Sequence, residues 1–212
     1  MIVAIDGPAA SGKGSVAKLL AEKLNLETID TGAMYRAVTL YAIRNNLNTD
    51  EEIIKATKKL KIELNGNKVL LNGEDVTKEI RTPEVTERVS PVSSIREVRI
   101  ILIDLQRKIA KGKNIIMEGR DITTVVFPDA DFKFYLDATV EERARRRLID
   151  YQNQNSNLTY EEVLAEIKVR DKMDYEKDFG ALKRTDDQIY IDSTNMSIEE
   201  VVEEMIKYIK GE

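Results

Sequence analysis

Neither cysteine nor histidine occurs in this sequence of 212 residues. The absence of cysteine excludes disulfides and thiol chemistry. The absence of histidine removes the side chain that most often serves as a general base and as a transition-metal ligand. Any catalysis must therefore depend on carboxylates, arginine, lysine, backbone N–H groups and a bound metal ion. These groups suit phosphoryl transfer, in which positioning and charge stabilisation supply most of the catalysis.

The sequence also lacks an excess of basic residues and any long apolar run. Its 33 lysine and arginine residues are outnumbered by 38 acidic residues, which gives a net charge of −5. A protein whose main partner is nucleic acid is usually more basic, so we expect no nucleic-acid partner. No apolar run approaches the roughly 18 residues of a membrane span. Because the first predicted strand begins at residue 2, we expect no signal peptide, and we predict a cytoplasmic protein without a membrane partner.

Length and hydrophobic pattern predict one α/β domain with inserted pieces. Short apolar segments that are typical of buried strands occur at residues 2–5, 26–29, 114–117, 132–136 and 188–191. Helical patterns separate most of these segments. The alternation predicts a five-stranded parallel sheet with helices on both faces.

The most informative stretch follows the first of these strands. A loop bounded by Gly7 and Gly12 leads to Lys13 and then to an amphipathic helical pattern. Backbone N–H groups in such a loop and at the start of the helix bind phosphate, and the lysine reaches the outer phosphates of a nucleotide. We therefore predict an ATP-binding phosphate loop. Its residues are Gly7, Pro8, Ala9, Ala10, Ser11, Gly12, Lys13, Gly14 and Ser15.

Oxygen ligands for a magnesium ion are available near this loop. Gly14 occupies the position where serine or threonine usually follows the lysine, so Ser15 provides the hydroxyl that we expect near Mg²⁺. Asp6 and Asp30 follow the first two predicted strands, where the carboxyl ends of a parallel sheet face its ligand. Either carboxylate could assist the metal, and the sequence does not choose between them.

Two segments interrupt the alternation of strands and helices. Residues 60–73 combine alternating apolar residues with two Asn-Gly pairs, which predicts a hairpin within an inserted subdomain of about residues 51–92. An arginine-rich helix is predicted over residues 93–111.

The second segment is a polar loop at 153–157 that follows several arginines. These arginines indicate either a solvated basic helix face or a mobile lid that covers phosphates.

Several segments of the sequence resemble those of a known enzyme family. Residues 7–15 include the Gly-Lys-Gly-Ser run that is characteristic of nucleoside monophosphate kinases. Residues 30–36 (DTGAMYR), 118–128 (EGRDITTVVFP) and 165–174 (AEIKVRDKMD) are similar to segments of cytidylate kinases in particular. The hairpin resembles an insertion peculiar to that family. The resemblance spans essentially the whole chain.

The resemblance implies a single phosphate-loop kinase domain of the adenylate-kinase type over residues 1–212. Residues 33–111 would bind the monophosphate, and residues 146–160 would form a short lid. The implied reaction transfers a phosphoryl group from ATP to CMP or dCMP with Mg²⁺, and gives ADP and CDP or dCDP. ATP, CMP and dCMP are therefore the expected partners, and the family implies a monomer.

The resemblance also assigns roles to individual residues. The catalytic residues would be Lys13, Arg120 and Arg170. The acceptor phosphate would bind to Arg36, Arg81 and Arg120, the cytosine to Ser90, Arg99 and Asp121, and the sugar to Asp174 and Lys177. Arg143, Arg146 and Arg147 would belong to the lid.

Two of these positions bear on substrate recognition. A carboxylate at Asp121 can accept a hydrogen bond from the amino group of cytosine, whereas uracil presents a carbonyl there. Lys177 replaces an arginine that the family usually has. Lysine keeps the positive charge of arginine but loses its planar fork of donors.

Two other functions stay open. The chain could be a kinase for UMP or AMP, although the insertion and Asp121 argue against this. It could also be a nucleotide-binding module with little turnover, although Arg36, Arg81, Arg120 and Arg170 argue against that.

Overall fold

The computed structural model describes residues 1–66, 68–153 and 157–211. Five strands form a parallel sheet in the order β2-β6-β1-β7-β8. The strands are β1 (Ile2–Asp6), β2 (Glu27–Asp30), β6 (Ile115–Gly119), β7 (Phe132–Asp137) and β8 (Ile189–Asp192). The predicted fold class is therefore confirmed, and each strand boundary lies within two residues of its prediction.

Helices cover both faces of this sheet, because residues of both faces are apolar. Val3 of β1 packs in one cluster with Leu20 of helix α1 (Lys13–Leu24) and Val202 of helix α8 (Ile198–Lys210). Ala4, which points to the opposite face, packs in a second cluster with Ile103. Burial on both faces explains why β1 and β6 begin as short continuous apolar runs rather than alternating ones.

A second, antiparallel sheet lies between β2 and β6 in the chain. It contains β3 (Ile62–Asn65), β4 (Lys68–Leu71) and the short β5 (Glu74–Asp75). The first two strands pair as the predicted hairpin, although Asn67 in its turn lies outside the described residues. Apolar residues of this sheet pack in one cluster with residues of helices α2 (Thr31–Arg44), α3 (Asp50–Thr57), α4 (Pro83–Ser94) and α5 (Arg96–Ala110).

The start that we predicted for the helix over residues 93–111 is wrong. Ser93 and Ser94 belong to α4, and α5 begins at Arg96. Ile95 separates the two helices with an extended backbone (φ −68°, ψ 113°). The segment between β2 and β6 packs around a core of its own, which runs from Ala33 of α2 to Leu102 of α5. This packing supports a monophosphate-binding region of about residues 33–111, which stays a prediction.

Two further helices, α6 (Val140–Asn153) and α7 (Tyr160–Tyr175), pack against each other between β7 and β8 in the chain. Most of the predicted polar loop, residues 154–156, lies outside the described residues. The lid at 146–160 therefore stays a prediction. Within the described ranges, no helix combines the length and the apolarity that crossing a membrane requires.

Candidate active site

A cavity of about 860 Å³ lies at the carboxyl edge of the parallel sheet. The start of α1, the insertion and helices α6 and α7 all contribute to its lining. Of the residues to which the sequence analysis assigned a role, all but Gly7, Pro8 and Arg143 line this cavity, and so does Asp30, one of the two alternative metal carboxylates. The fold therefore brings together residues that are up to 168 positions apart in the chain, from Ala9 to Lys177.

Two glycines determine the shape of the phosphate loop, residues 7–15. Gly7 has φ +154°, and a Cβ added to it would lie 2.0 Å from the carbonyl oxygen of Leu136 on β7. Gly12 has φ +90° and caps the N-terminus of α1. The first N–H groups of α1 have no partner within the helix and are available to an anion at the loop. The local sequence thus builds a phosphate cradle beside β1 and β7.

Replacing Gly7 by alanine should destabilise the protein by about 3 kcal/mol or more, because the side chain meets backbone atoms in a region of φ that favours glycine. Gly112 offers a matched control, since it has φ +74° but no heavy atom lies within 4 Å of an added Cβ. Gly112→Ala should cost only about 1–2 kcal/mol of backbone strain. Chemical unfolding of both variants measures the difference. Equal losses would contradict the close approach of the loop to β7.

Lys13 extends along the inner surface of the phosphate loop. Its Nζ donates to the carbonyl oxygen of Pro8 at 2.7 Å and to Oγ of Ser11 at 3.2 Å. Burial, together with the nearby Arg120, lowers the pKa of Lys13 to about 7. An ammonium in such surroundings gains by contact with an anion, because an anion offsets the cost of burying its charge.

Glu118, to which the sequence analysis assigned no role, lies opposite this lysine. It follows Met117 on β6 and pairs in register with Asp30 on β2. A Cβ added to Gly14 would lie 3.8 Å from Oε1 of Glu118, so the carboxylate is beside the start of α1. Burial and the neighbouring Asp30 raise the pKa of Glu118 to about 7. Its position at the end of a central strand was the signal that could have identified it.

The Glu118 carboxylate raises the pKa of Lys13, so removing its charge should change the pH dependence of ATP binding. ATP affinity should fall as the pH rises through the pKa of Lys13, because only the protonated amine carries charge. In the Glu118→Gln variant, the fall in ATP affinity should begin at a lower pH, because the pKa of Lys13 would be lower. Measuring the ATP affinity of both proteins between about pH 6 and 9 tests this prediction. If the two proteins gave the same pH profile, the effect of Glu118 on the pKa of Lys13 would be contradicted.

The structure distinguishes between the two carboxylates that the sequence left as alternatives for the metal. Asp6 is fully buried and accepts hydrogen bonds from the N–H of Ile122 and from the N–H and hydroxyl of Thr123, at 2.6–2.8 Å. It holds the start of a π-helical turn and does not line the cavity. Asp30 lines the cavity, where it accepts from the N–H of Ala33 and from Arg81, each at 2.9 Å.

Several arginines converge on the middle of the cavity. Arg36 donates to the carbonyl oxygen of Ile80 and to the hydroxyl of Thr86. Burial, and then the charge of Arg170, lower the pKa of Arg36 to about 9. The pKa of Arg170 is itself lowered to about 10 by burial and by Arg120. The lowered pKa values show that these positive charges repel one another, and a phosphate bound among them would offset that repulsion.

A second polar cluster lies deeper in the cavity. The side chains of Arg99 and Asp121 form an ion pair and are only 2% and 6% exposed. Arg99 also donates to the carbonyl oxygen of Ser93 at 2.9 Å and lies over the ring of Tyr35. Ser90 of α4 lines the same cavity. An acceptor and a donor side by side in a buried site can distinguish bases by their hydrogen-bonding edges.

Asp174 of α7 binds two basic side chains. Its Oδ2 accepts from Nε of Arg120 and its Oδ1 from Nζ of Lys177, both at 2.7 Å. Burial alone would raise the pKa of Asp174, but the charges of Arg120 and Lys177 hold it well below its usual range. Arg170, four residues earlier, makes no hydrogen bond through its buried Nε to any described residue. Arg170 and Asp174 lie four residues apart on one helix face, but among the contacts of the described residues Asp174 forms its ion pairs with Arg120 and Lys177.

The arginines of α6 differ in position. Arg143 is buried, pairs with Asp171 and donates to the carbonyl oxygen of Ala9, so it supports the phosphate loop from outside the cavity. Arg146 and Arg147 line the cavity. Of the four arginines of α6, only Arg145 fits the alternative of a solvated basic helix face, because its side chain is 65% exposed. Among the described residues, no group of three or more acidic side chains could hold a metal by itself.

The parallel sheet, the phosphate loop at β1 and the arginine-lined cavity together define the fold of a phosphate-loop kinase. A solved shikimate kinase from Bacteroides thetaiotaomicron has this fold, with a TM-score of 0.51 at 12% identity over 99% of this chain and 98% of its own. An uncharacterized protein from Eubacterium ventriosum has a TM-score of 0.56 at 15% identity, over 100% and 99% of the two chains. At these identities, the likeness shows the fold alone.

Sequence comparison identifies the family. The family model described as cytidylate kinase matches residues 3–211. A cytidylate kinase from Caldanaerobacter subterraneus is 51% identical, over 98% of this chain and 94% of the relative. One from Fusobacterium nucleatum is 49% identical, over 99% and 97% of the two chains. The chain belongs to the cytidylate kinase family and is a kinase.

Proposed function

We propose that this protein transfers the terminal phosphoryl group of ATP to CMP or dCMP, giving ADP and CDP or dCDP. The observation that carries the proposal is that one cavity joins the phosphate loop to a separate set of arginines and to the buried Arg99–Asp121 pair. It thus offers places for two nucleotides whose phosphates meet. Membership of the cytidylate kinase family supports the same reaction.

The donor and acceptor phosphates would bind to different elements. The phosphate loop would hold the ATP phosphates, and Arg146 and Arg147 would approach them from α6. Arg36, Arg81 and Arg120 would hold the acceptor phosphate through paired N–H donors, which fixes the attacking oxygen in line.

Lys13, Arg120 and Arg170 would balance the charge on the transferring group. Charge stabilisation of this kind is the main contribution of the protein to phosphoryl transfer. No side chain is needed as a strong base, since the attacking phosphate oxygen is already ionised at neutral pH.

The buried cluster would recognise the nucleoside. The Asp121 carboxylate would accept from the cytosine amino group, while Arg99 and Ser90 would donate to the acceptor atoms of the base. Uracil would place a carbonyl against the carboxylate, and an unpaired buried polar contact of this kind is costly. Asp174 and Lys177 would contact the sugar.

The cavity also fits a magnesium ion bound together with ATP. Mg²⁺ prefers hard oxygen ligands and takes few of them from the protein when phosphates supply the rest. The Ser15 hydroxyl is exposed at the start of α1, and the carboxylates of Asp30 and Glu118 line the same cavity. These three side chains would hold the ion directly or through water. The ion would neutralise charge on the phosphates.

The proposal extends to the state of the protein in the cell. Because one chain supplies all of the proposed site residues, we propose that the protein works as a monomer. Its proposed substrates are nucleotides of the cytoplasm, which is the location that we propose for it.

Separate assays with CMP, dCMP, UMP and AMP test the reaction. ADP release from ATP and Mg²⁺ should be fast with CMP and dCMP and slow with UMP and AMP. Preference for UMP or AMP would retain a kinase but contradict the proposed specificity. ADP release that does not depend on any acceptor would contradict phosphoryl transfer to a monophosphate.

A further inference from the structure

We propose that Ser93 is a positioning residue for the acceptor sugar, and that it acts by fixing the ammonium of Lys177. The inference rests on the proposed function, since it concerns how the same cavity holds the acceptor nucleotide. Ser93 lies in the last turn of α4, whereas Lys177 follows α7, so the contact joins the end of α4 to the segment after α7.

The ammonium of Lys177 is held on two sides. Its Nζ lies 2.7 Å from Oδ1 of Asp174 and 3.3 Å from Oγ of Ser93, and its side chain is only 4% exposed. A lysine ammonium has three N–H donors. Among the described residues, Asp174 and Ser93 are its hydrogen-bond partners, which leaves one N–H for an oxygen in the cavity that Lys177 lines.

Lysine needs such a second partner more than arginine would. Its charge is a point at the end of a flexible stem, whereas the donors of arginine are fixed in a plane. Asp174 alone would let the ammonium rotate around the carboxylate. The Ser93 hydroxyl limits that freedom, and the remaining N–H is then oriented before the sugar arrives.

The hydrogen bonds of Ser93 suit this role. Its hydroxyl donates to the carbonyl oxygen of Ser90 at 3.0 Å, so its oxygen presents lone pairs to Lys177. Its backbone carbonyl accepts from Arg99 at 2.9 Å. One residue therefore contacts both the proposed sugar-binding lysine and the proposed base-binding arginine.

The next residue provides a matched control. The Ser94 hydroxyl also donates to the carbonyl oxygen of Ser90, at 2.9 Å, but among the described residues it makes no contact with Lys177. Ser93→Ala and Ser94→Ala therefore remove the same bond to the helix backbone. Only the first removes the lysine contact.

Steady-state kinetics of the two variants test the proposal. Ser93→Ala should raise the KM for CMP about tenfold, the usual effect of losing a hydrogen bond to a charged group, and should change kcat and the KM for ATP less than about twofold. Ser94→Ala should leave all three constants unchanged. Equal effects of the two substitutions would overturn the proposal.

An acceptor without sugar hydroxyls separates positioning from a general structural effect. With 2′,3′-dideoxy-CMP, Ser93→Ala and the unchanged protein should have the same KM, because Lys177 has no sugar hydroxyl to bind. A tenfold difference that persists with this acceptor would overturn the proposal. If the unchanged protein uses another monophosphate in place of CMP, the proposed specificity fails, and the same comparison with that acceptor still decides the role of Ser93.

Discussion

Replacing Lys13 by methionine is expected to lower the rate of phosphoryl transfer about a hundredfold to a thousandfold, the usual effect of removing one preorganised charge contact to a transition state. Lys13 is the lysine of the phosphate loop, and its buried ammonium is already held within that loop by Pro8 and Ser11. It can therefore meet the developing charge with little reorganisation. Single-turnover transfer to CMP measures the effect on the chemical step.

The fold should tolerate this change. Methionine keeps most of the volume of the lysine side chain and removes a charge whose burial is costly, as the lowered pKa of Lys13 shows. The melting temperature should therefore change by only a few degrees. Lys23→Met, at an exposed position on the same helix, is the control and should retain the full rate. If Lys13→Met kept more than about a tenth of the rate, the proposed role of the loop would be contradicted.

The phosphate loop and the sheet could be predicted because their signals are local. A short apolar run, a glycine-bounded loop and a lysine lie within 15 residues of one another, and backbone geometry determines what such a run can form. The strands were recognisable for the same reason. Both faces of the sheet are buried, so residues 2–5 of β1 and 115–117 of β6 are continuously apolar.

The partners of the charged residues could not be predicted in this way. Asp174 shares a helix face with Arg170 but pairs with Arg120, which is 54 residues away in the sequence. Asp6 appeared available to a metal, yet it accepts hydrogen bonds from Ile122 and Thr123, which follow the neighbouring strand β6. A carboxylate meets whichever donors the tertiary fold brings to it. Helical spacing indicates only which partners are near in the same helix.

The break between α4 and α5 shows another limit. Neither glycine nor proline marks Ile95, and apolar residues continue at helical spacing on both sides of it. One extended residue there turns the chain, so that Ser93 and Arg99 meet. Periodicity averages over about 11 residues or more and does not detect a single residue of this kind.

Replacing Asp121 by asparagine is expected to lower kcat/KM for CMP about a hundredfold and to reduce the preference for CMP over UMP by a similar factor. A carboxylate only accepts hydrogen bonds, whereas a carboxamide can present either an acceptor or a donor. Asparagine could therefore face the carbonyl of uracil with its amino group. The KM for ATP should change less than about twofold, because Asp121 would contact the acceptor base. Asp129→Asn, at an exposed position, should change none of these values.

The ion pair between Asp121 and Arg99 makes this test demanding. Arg99 is 2% exposed, and removing the charge of its partner leaves a buried guanidinium less well compensated, which can cost about 3–5 kcal/mol of stability. Assays should therefore be made well below the melting temperature of the variant. Loss of stability lowers activity toward every acceptor alike, whereas loss of a base contact changes the ratio between acceptors. If CMP and UMP lost activity equally in folded Asp121→Asn, Asp121 would serve to hold Arg99 rather than to read the base.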